Sequence, residues 1–279
     1  MRLLATFIVF IIGLSVFGQT KESSEKLSDD LKEISGLALF RDTLLIAMND
    51  SENKPVLFFI NFKGKVIHSC KLTNAKNNDW EDLTIDPKGF VYIADCGNNE
   101  NKRRDLVILK VDAQLAFSND SVKAEKLNFT YEDQLSFPPA EDAKNFDCES
   151  IYWNNDSIFM VTKSYAKPWT GISNIYGISS TGKQQVAVKR DSLIIGKSGW
   201  RFDAVTSADY KDNHLYVLTY NRMIDFERIN GTFVKQSDYV FNDYNQKEAI
   251  LSLSANQFFV AAEKHKILGG PFLYTIRKK

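Results

Sequence analysis

Apolar residues in this chain come in short runs separated by polar clusters rich in Asp, Asn, Gly and Lys, the signature of β-strands joined by tight turns. The clearest example spans Asp79 to Asn99. There Leu83-Thr84-Ile85 leads through Asp86-Pro87-Lys88-Gly89 into Phe90-Val91-Tyr92-Ile93-Ala94, with Asp79-Trp80-Glu81-Asp82 at one end and Asp95-Cys96-Gly97-Asn98-Asn99 at the other. A hairpin of this form brings Glu81 and Asp95 to the same end. The pattern recurs. First strands are read at Ile34–Leu39, Trp80–Ile85, Cys148–Trp153, Val205–Tyr210 and Lys247–Ser252, and second strands at Thr43–Met48, Phe90–Ala94, Ser157–Thr162, His214–Thr219 and Gln257–Ala262.

Third strands follow at Val56–Ile60, Leu106–Val111, Asn174–Ile178, Met223–Ile229 and Phe272–Ile276. Fourth strands follow at Lys65–Leu72, Lys123–Tyr131, Gln185–Ile195 and Phe233–Phe241, and the last copy has none. The repeat interval, roughly 40 to 70 residues, suits four-stranded propeller blades. The pattern therefore predicts an all-β, five-bladed β-propeller, with six blades as the alternative. The N-terminal segment Glu25–Leu31 is expected to close the ring as the missing outer strand, removing an open sheet edge. Gln134–Asn145, with Pro138-Pro139, reads as an inserted surface loop covering part of a site.

Composition narrows the function classes. Lys plus Arg and Asp plus Glu are 35 each, so no net field favours nucleic acid as a partner. Met1–Gly18 reads as a secretory signal, with Arg2 ahead of an apolar run, leaving residues 19–279 as one propeller domain. The expectation is a secreted or periplasmic monomer with no membrane span after cleavage, since the apolar run is shorter than the roughly 20 residues a spanning helix needs. In an oxidising compartment Cys70, Cys96 and Cys148 permit one disulfide, and spacing does not choose the pair.

Candidate chemistry follows from alignment of the repeats. In a propeller the first strands line the axis, so equivalent positions form rings. One ring is Ser35, Glu81, Glu149, Thr206 and Glu248; a second, at the ends of the second strands, is Asn49, Asp95, Lys163, Tyr220 and Glu263. Water in an axial channel would account for polar residues there. Like charges converging with Lys163 as the evident counter-charge call instead for a compensating cation. Carboxylate, amide and hydroxyl oxygens suit a hard ion, calcium first and magnesium as the alternative. Glu81, Asp95, Glu149, Glu248 and Glu263 are the expected ligands, with Ser35, Asn49, Asn98, Lys163, Thr206 and Tyr220 facing a small ligand. His68, His214 and His265 fall outside any nucleophile or zinc pattern, which sets those chemistries aside. Trp169 and Trp200 sit in loops near the axis end, where either could stack on a sugar or other ring.

Asp79-Trp80-Glu81-Asp82-Leu83 with Tyr92-Ile93-Ala94-Asp95-Cys96-Gly97-Asn98-Asn99, then Asp147-Cys148-Glu149-Ser150-Ile151 with Thr162-Lys163, then Glu248-Ala249-Ile250, resemble secreted bacterial propellers of the SdiA-regulated and esterase-like-phytase type. More distantly they resemble the gluconolactonase propellers. The resemblance implies a five- or six-bladed fold, extracytoplasmic placement and a divalent cation in the channel. Where relatives commonly read Asp-Ile-Gly-Asp-Asn this chain has Asp95-Cys96-Gly97-Asn98-Asn99, an amide in place of one acidic ligand. Where they read Asp-Ala-Glu-Ala it has Asp147-Cys148-Glu149-Ser150. Both cysteines thus fall at aligned positions, and the resemblance implies a Cys96–Cys148 disulfide with Cys70 free. Three functions stay open: a propeller binding a cation or small ligand, a metal-assisted hydrolase of lactones or phosphoesters, and a protein-interaction scaffold.

Overall fold

The computed structural model describes residues 21–278; the expected leader, Met1–Gly18, lies outside them. Strand β1 (Lys21–Lys26) precedes five antiparallel meanders. The first contains β2 (Ile34–Phe40), β3 (Leu44–Asn49), β4 (Val56–Asn61) and β5 (Val66–Leu72). In the second, β6 (Trp80–Ile85), β7 (Phe90–Asp95) and β8 (Val107–Asp112) are followed by the short helix α1 (Ala113–Ser118), the two-residue strand β9 (Ser121–Val122) and β10 (Glu125–Tyr131). The third runs β11 (Asp147–Asn154), β12 (Ser157–Lys163), β13 (Ile172–Ser179) and β14 (Gln184–Ile194). After the helical turn α2 (Trp200–Asp203) come β15 (Val205–Lys211), β16 (His214–Thr219), β17 (Arg222–Ile229) and β18 (Thr232–Val240), then β19 (Lys247–Ser254), β20 (Gln257–Ala262) and β21 (Phe272–Arg277).

The first strands β2, β6, β11, β15 and β19 pack one against the next in a closed succession, β19 returning to β2. They are buried on both faces: the first six residues of β11 and of β19 are all buried. Outer strands such as β10 and β18 instead expose much of their length. Five apolar clusters fill the spaces between successive meanders, the last joining the fifth to the first through Leu37, Leu45, Phe259 and Leu273. This is an all-β architecture of the propeller type.

Two joins depart from independent sheets. Strand β10 pairs in parallel with β14, merging the second and third meanders into one eight-stranded sheet, and β9 pairs in parallel with β5. The ring is closed on the last meander by an N-terminal strand that lies earlier than expected, with only Glu25 and Lys26 of Glu25–Leu31 in it. Strand β1 pairs with β21 from Lys21↔Arg277 to Lys26↔Phe272, whereas Asp29–Leu31 forms a 3-10 turn capped by Ser28 that buries Leu31. The apolar Leu27 and Leu31 belong to the core between the first and fifth meanders, which ends the strand before them. Among the described residues no helix is long and apolar enough to cross a membrane.

Candidate metal centre

Each first strand carries a β-bulge at the same place. Pairing with the second strand shifts between Ile34 and Gly36, Trp80 and Leu83, Cys148 and Ser150, Val205 and Ser207, and Lys247 and Ala249. The residues inside these breaks are Ser35, Glu81 with Asp82, Glu149, Thr206 and Glu248, which are the aligned ring positions. A bulge frees a residue from the ladder and re-aims it, so the backbone itself presents this ring.

Part of the ring holds the strands together. Ser35 Oγ donates to the Glu81 carbonyl, and Thr206 Oγ1 donates to the Lys247 carbonyl at 2.8 Å. Asp82, fully buried, accepts from Ser150 Oγ, from the Leu83 N–H at 2.8 Å and from the Ile151 N–H at 3.2 Å. These bonds link neighbouring first strands around the axis. Ser35 and Thr206 are therefore structural hydroxyls. Asn49 donates to the Asp30 carbonyl at 2.8 Å, and Asn98 binds the Phe146 carbonyl at 3.3 Å while accepting the Arg103 N–H at 2.9 Å, so these amides too lock loops.

The remaining carboxylates converge. Ligand-capable oxygens of Asp50, Asp79 and Glu81 lie within 4.8 Å of one another, as do those of Glu81, Asp147 and Glu149, so Glu81 is common to both triplets. Gly97 makes this approach possible: a Cβ there would stand 2.1 Å from Glu81 Oε1 and 2.6 Å from Asp79 Oδ2. Asp147 Oδ1 accepts the Asn98 N–H, while its buried Oδ2 has no hydrogen-bond partner. An acceptor stranded in this way is costly unless a cation or proton meets it.

Glu248 and Glu263 extend the negative region without joining either triplet. Gln246 Nε2 donates to Glu248 Oε1 at 2.6 Å. Lys163 Nζ lies 2.7 Å from Glu149 Oε1, both buried, and Tyr220 stands beside it with its ring centroid 5.7 Å from the ammonium. Asp95, expected as a ligand, is committed elsewhere. It pairs with Arg103 Nη2 at 3.0 Å and accepts from Asn78 Nδ2 at 3.1 Å and from the Asp79 N–H at 3.2 Å. Its charge is neutralised while it fixes the backbone that carries Asp79.

The crowding registers in the acidities. Burial, then the charges of Glu149 and Asp50, raises Glu81 well above the ordinary carboxylate range. Burial likewise raises Glu149, opposed by Lys163, and Lys163 is itself held well above its ordinary value because Glu149 and its neighbours outweigh desolvation. Asp79 is pushed to about 7 by burial and by Asp50 and Asp147. Glu248 also rises to about 7, chiefly through burial, and Glu263 to about 9 through burial and Glu248.

Asp50, Asp79 and Asp147 are ligand candidates that ring alignment missed, although a signal was present. Asp79-Trp80-Glu81 and Asp147-Cys148-Glu149 repeat an acid two residues ahead of each ring glutamate, a doublet that marks Asp79 and Asp147 but not Asp50. The disulfide expected from the resemblance is not formed. Cys70, Cys96 and Cys148 are free and buried; Cys96 and Cys148 share one apolar cluster, and Cys148 Sγ donates to the Ser150 carbonyl at 3.8 Å. Burial and the adjoining Cys148 hold the Cys96 thiol well above its ordinary value. The histidines stay apart from the carboxylates: His214 Nδ1 meets Asp225 at 2.7 Å, His68 Nε2 contacts the Ala116 carbonyl at 3.1 Å, and His265 is held in its own turn with Gly269.

No family model matches the chain, and no curated protein matches it. Among solved structures it is similar to the glutaminyl cyclase of Myxococcus xanthus, with 9% identity, 92% of this chain and 95% of that one covered, and a TM-score of 0.55. It is also similar to the PQQ-bound aldose sugar dehydrogenase of Streptomyces coelicolor, with 8% identity, 94% and 100% covered, and a TM-score of 0.51. A gluconolactonase of Xanthomonas campestris aligns at 8% identity over 88% of this chain and 72% of that one, with a TM-score of 0.48. At such identities the likeness defines the class alone, an all-β propeller-type fold. The SdiA-regulated and phytase-like resemblance has no family match behind it.

Proposed function

We propose that the protein is a five-bladed propeller, acting in a secreted or periplasmic setting, that binds a divalent cation at one end of its axis and presents it to a small ligand. The five meanders with their closed succession of first strands support the blade count. Asp79, Glu81, Asp147 and Glu149 are the principal ligands, with Asp50 completing the shell; Asp95 is dropped from the set. The observation that carries this reading is the pair of carboxylate triplets sharing Glu81, together with the unpartnered buried oxygen of Asp147. The donor set is all oxygen and mostly charged, which fits calcium and, with fewer ligands, magnesium.

The test is thermal unfolding with and without calcium or magnesium, on the parent and on Glu81→Gln with Glu149→Gln. A rise in Tm lost in the double variant supports the site, and no shift with either ion rejects it. A second reading, metal-assisted hydrolysis of a lactone or phosphoester, is favoured by Lys163, whose ammonium lies beside the carboxylates where it could meet a developing anion. Turnover of a lactone and phosphoester panel by the calcium-loaded protein would establish it. A channel inert to both ions would leave the interaction-scaffold reading.

A further inference from the structure

The bulged ends of the first strands carry the carboxylate centre, and their other ends surround a second space. A pocket of about 520 Å³ there is lined from all five of these strands, with Leu39 of β2, Leu83 of β6, Trp153 of β11, Asp209 and Lys211 of β15 and Ser252 of β19 in its walls. Between the two ends the strands are tied across the axis. Ser150 Oγ meets Asp82 and accepts the Ala208 N–H at 2.7 Å, and Ser207 Oγ accepts the Ile250 N–H at 3.3 Å. None of the carboxylates in the two triplets lines this pocket, so it is a separate site.

Its polar groups are left over from the fold. Ser252 is 3% exposed, yet its Oγ has no hydrogen-bond partner, and the indole N–H of Trp153, shielded from solvent, has none either. Asp209 Oδ2 accepts the Ser252 N–H at 2.7 Å. Among the described residues neither Asp209 nor Lys211 belongs to an ion pair. The two stand at i and i+2 of an unbroken stretch of β15, hence on one face, with Cα atoms about 7 Å apart. Buried polar groups without partners are costly, so the pocket favours a molecule that supplies them.

The set selects a chemistry. Asp209 and Ser252 Oγ offer acceptors to an ammonium, while Lys211 and the Trp153 N–H offer donors to a carboxylate. Leu39 and Leu83 add a wall for hydrocarbon. An acid and a base on one face, held apart instead of paired, match a molecule that carries both charges on a single carbon. A simple amine or a simple carboxylic acid would leave one of them unanswered. The volume falls within the roughly 300–1,000 Å³ of ligand pockets, which leaves room for a large side chain.

We propose that this pocket binds a free α-amino acid with a large apolar side chain. Its ammonium lies on Asp209 and Ser252, its carboxylate on Lys211 and the Trp153 N–H, and its side chain against the leucines. The assignment is independent of the cation reading, because the two sites share no residue.

Isothermal titration calorimetry of the whole protein in chelator tests it, with L-phenylalanine, 2-phenylethylamine, which lacks the carboxylate, and 3-phenylpropionate, which lacks the ammonium. Saturable binding of phenylalanine is expected, about tenfold or more tighter than either analogue and than glycine. Lys211→Gln should weaken phenylalanine about tenfold and leave phenylethylamine unchanged. Lys211 is half-buried and outside any ion pair, so this variant should keep the parent Tm. Asp209→Asn keeps an oxygen for the Ser252 N–H and should weaken phenylalanine about tenfold while phenylpropionate binds no more weakly than before. Absence of phenylalanine binding, either analogue or glycine binding as tightly, or full phenylalanine affinity in both variants overturns the assignment.

Discussion

Replacing Glu81 with Gln separates a cation site from an ordinary polar channel, because the two predict opposite signs for two observables. Glu81 belongs to both carboxylate triplets, with neighbouring oxygens within 4.8 Å. At an effective dielectric constant near 20, two unit charges at that distance repel by about 3.5 kcal/mol. Without cation, Glu81→Gln keeps the shape, removes a group that is costly to ionise and leaves stability at pH 8 equal or higher. With cation the same change deletes a shared ligand. Calcium at about a hundred times its Kd stabilises by about 2.7 kcal/mol, which for a domain this size is a rise in Tm of roughly 5–10 °C. Glu81→Gln should abolish most of that rise. Differential scanning fluorimetry in chelator and in calcium reads both numbers, with the exposed-strand variant Glu125→Gln as the control for charge alone. A Glu81→Gln protein that is less stable in chelator and keeps the full calcium shift would refute the reasoning.

The pH dependence follows from the same crowding. Asp79 and Glu248 are raised to about 7 and Glu263 to about 9, so the folded protein holds protons that the unfolded chain has released. Their stabilising contribution is full below the unfolded carboxylate pKa near 4 and is lost as pH rises through 7 to 9. In chelator, Tm should fall across that window, and calcium should flatten the fall while its apparent affinity rises with pH; a Tm that climbs from pH 6 to 9 in chelator would contradict this. Gly97→Ala forces a Cβ onto the Glu81 and Asp79 carboxylates, and calcium affinity by calorimetry should drop more than tenfold with little change in urea midpoint. Asp82→Ala should do the reverse, costing about 3 kcal/mol in urea unfolding by stranding the Leu83 and Ile151 N–H groups, Ser150 Oγ keeping its bonds to Ala208, while calcium affinity changes less than with Gly97→Ala.

The strands were legible in the sequence because inner strands buried on both faces read as apolar runs and the turns between them carry Asp, Asn and Gly. Val205, Lys247 and Gln257 begin their observed strands where the pattern placed them. The closing strand was misread because Lys21–Lys26 has no apolar alternation: it is ordered by six backbone partners on β21, and composition does not encode a partner at the far end of the chain. The helix α1 was missed for a related reason, since Ala113–Ser118 is short and is capped by Asp112 Oδ1 accepting the Leu115 N–H at 2.9 Å, a bond available only after the chain leaves β8.

The site was half legible. Ring positions could be aligned because each occupies a bulge, yet alignment treats equivalent positions as equivalent in role. Ser35 and Thr206 have backbone carbonyls within reach of their hydroxyls and donate to them; Glu81 and Glu149 are acceptors, and although Lys163 meets Glu149 their oxygens still face one another. Asp95 looked like a ligand until Arg103, eight residues on, folded back onto it. What distinguishes a ligand from a structural acid here is the supply of donors in three dimensions. Asp82 has several and is spent on them; Asp147 Oδ2 has none. That contrast between acids in neighbouring first strands is why the cation is assigned to the side of the axis bearing Asp79, Glu81, Asp147 and Glu149.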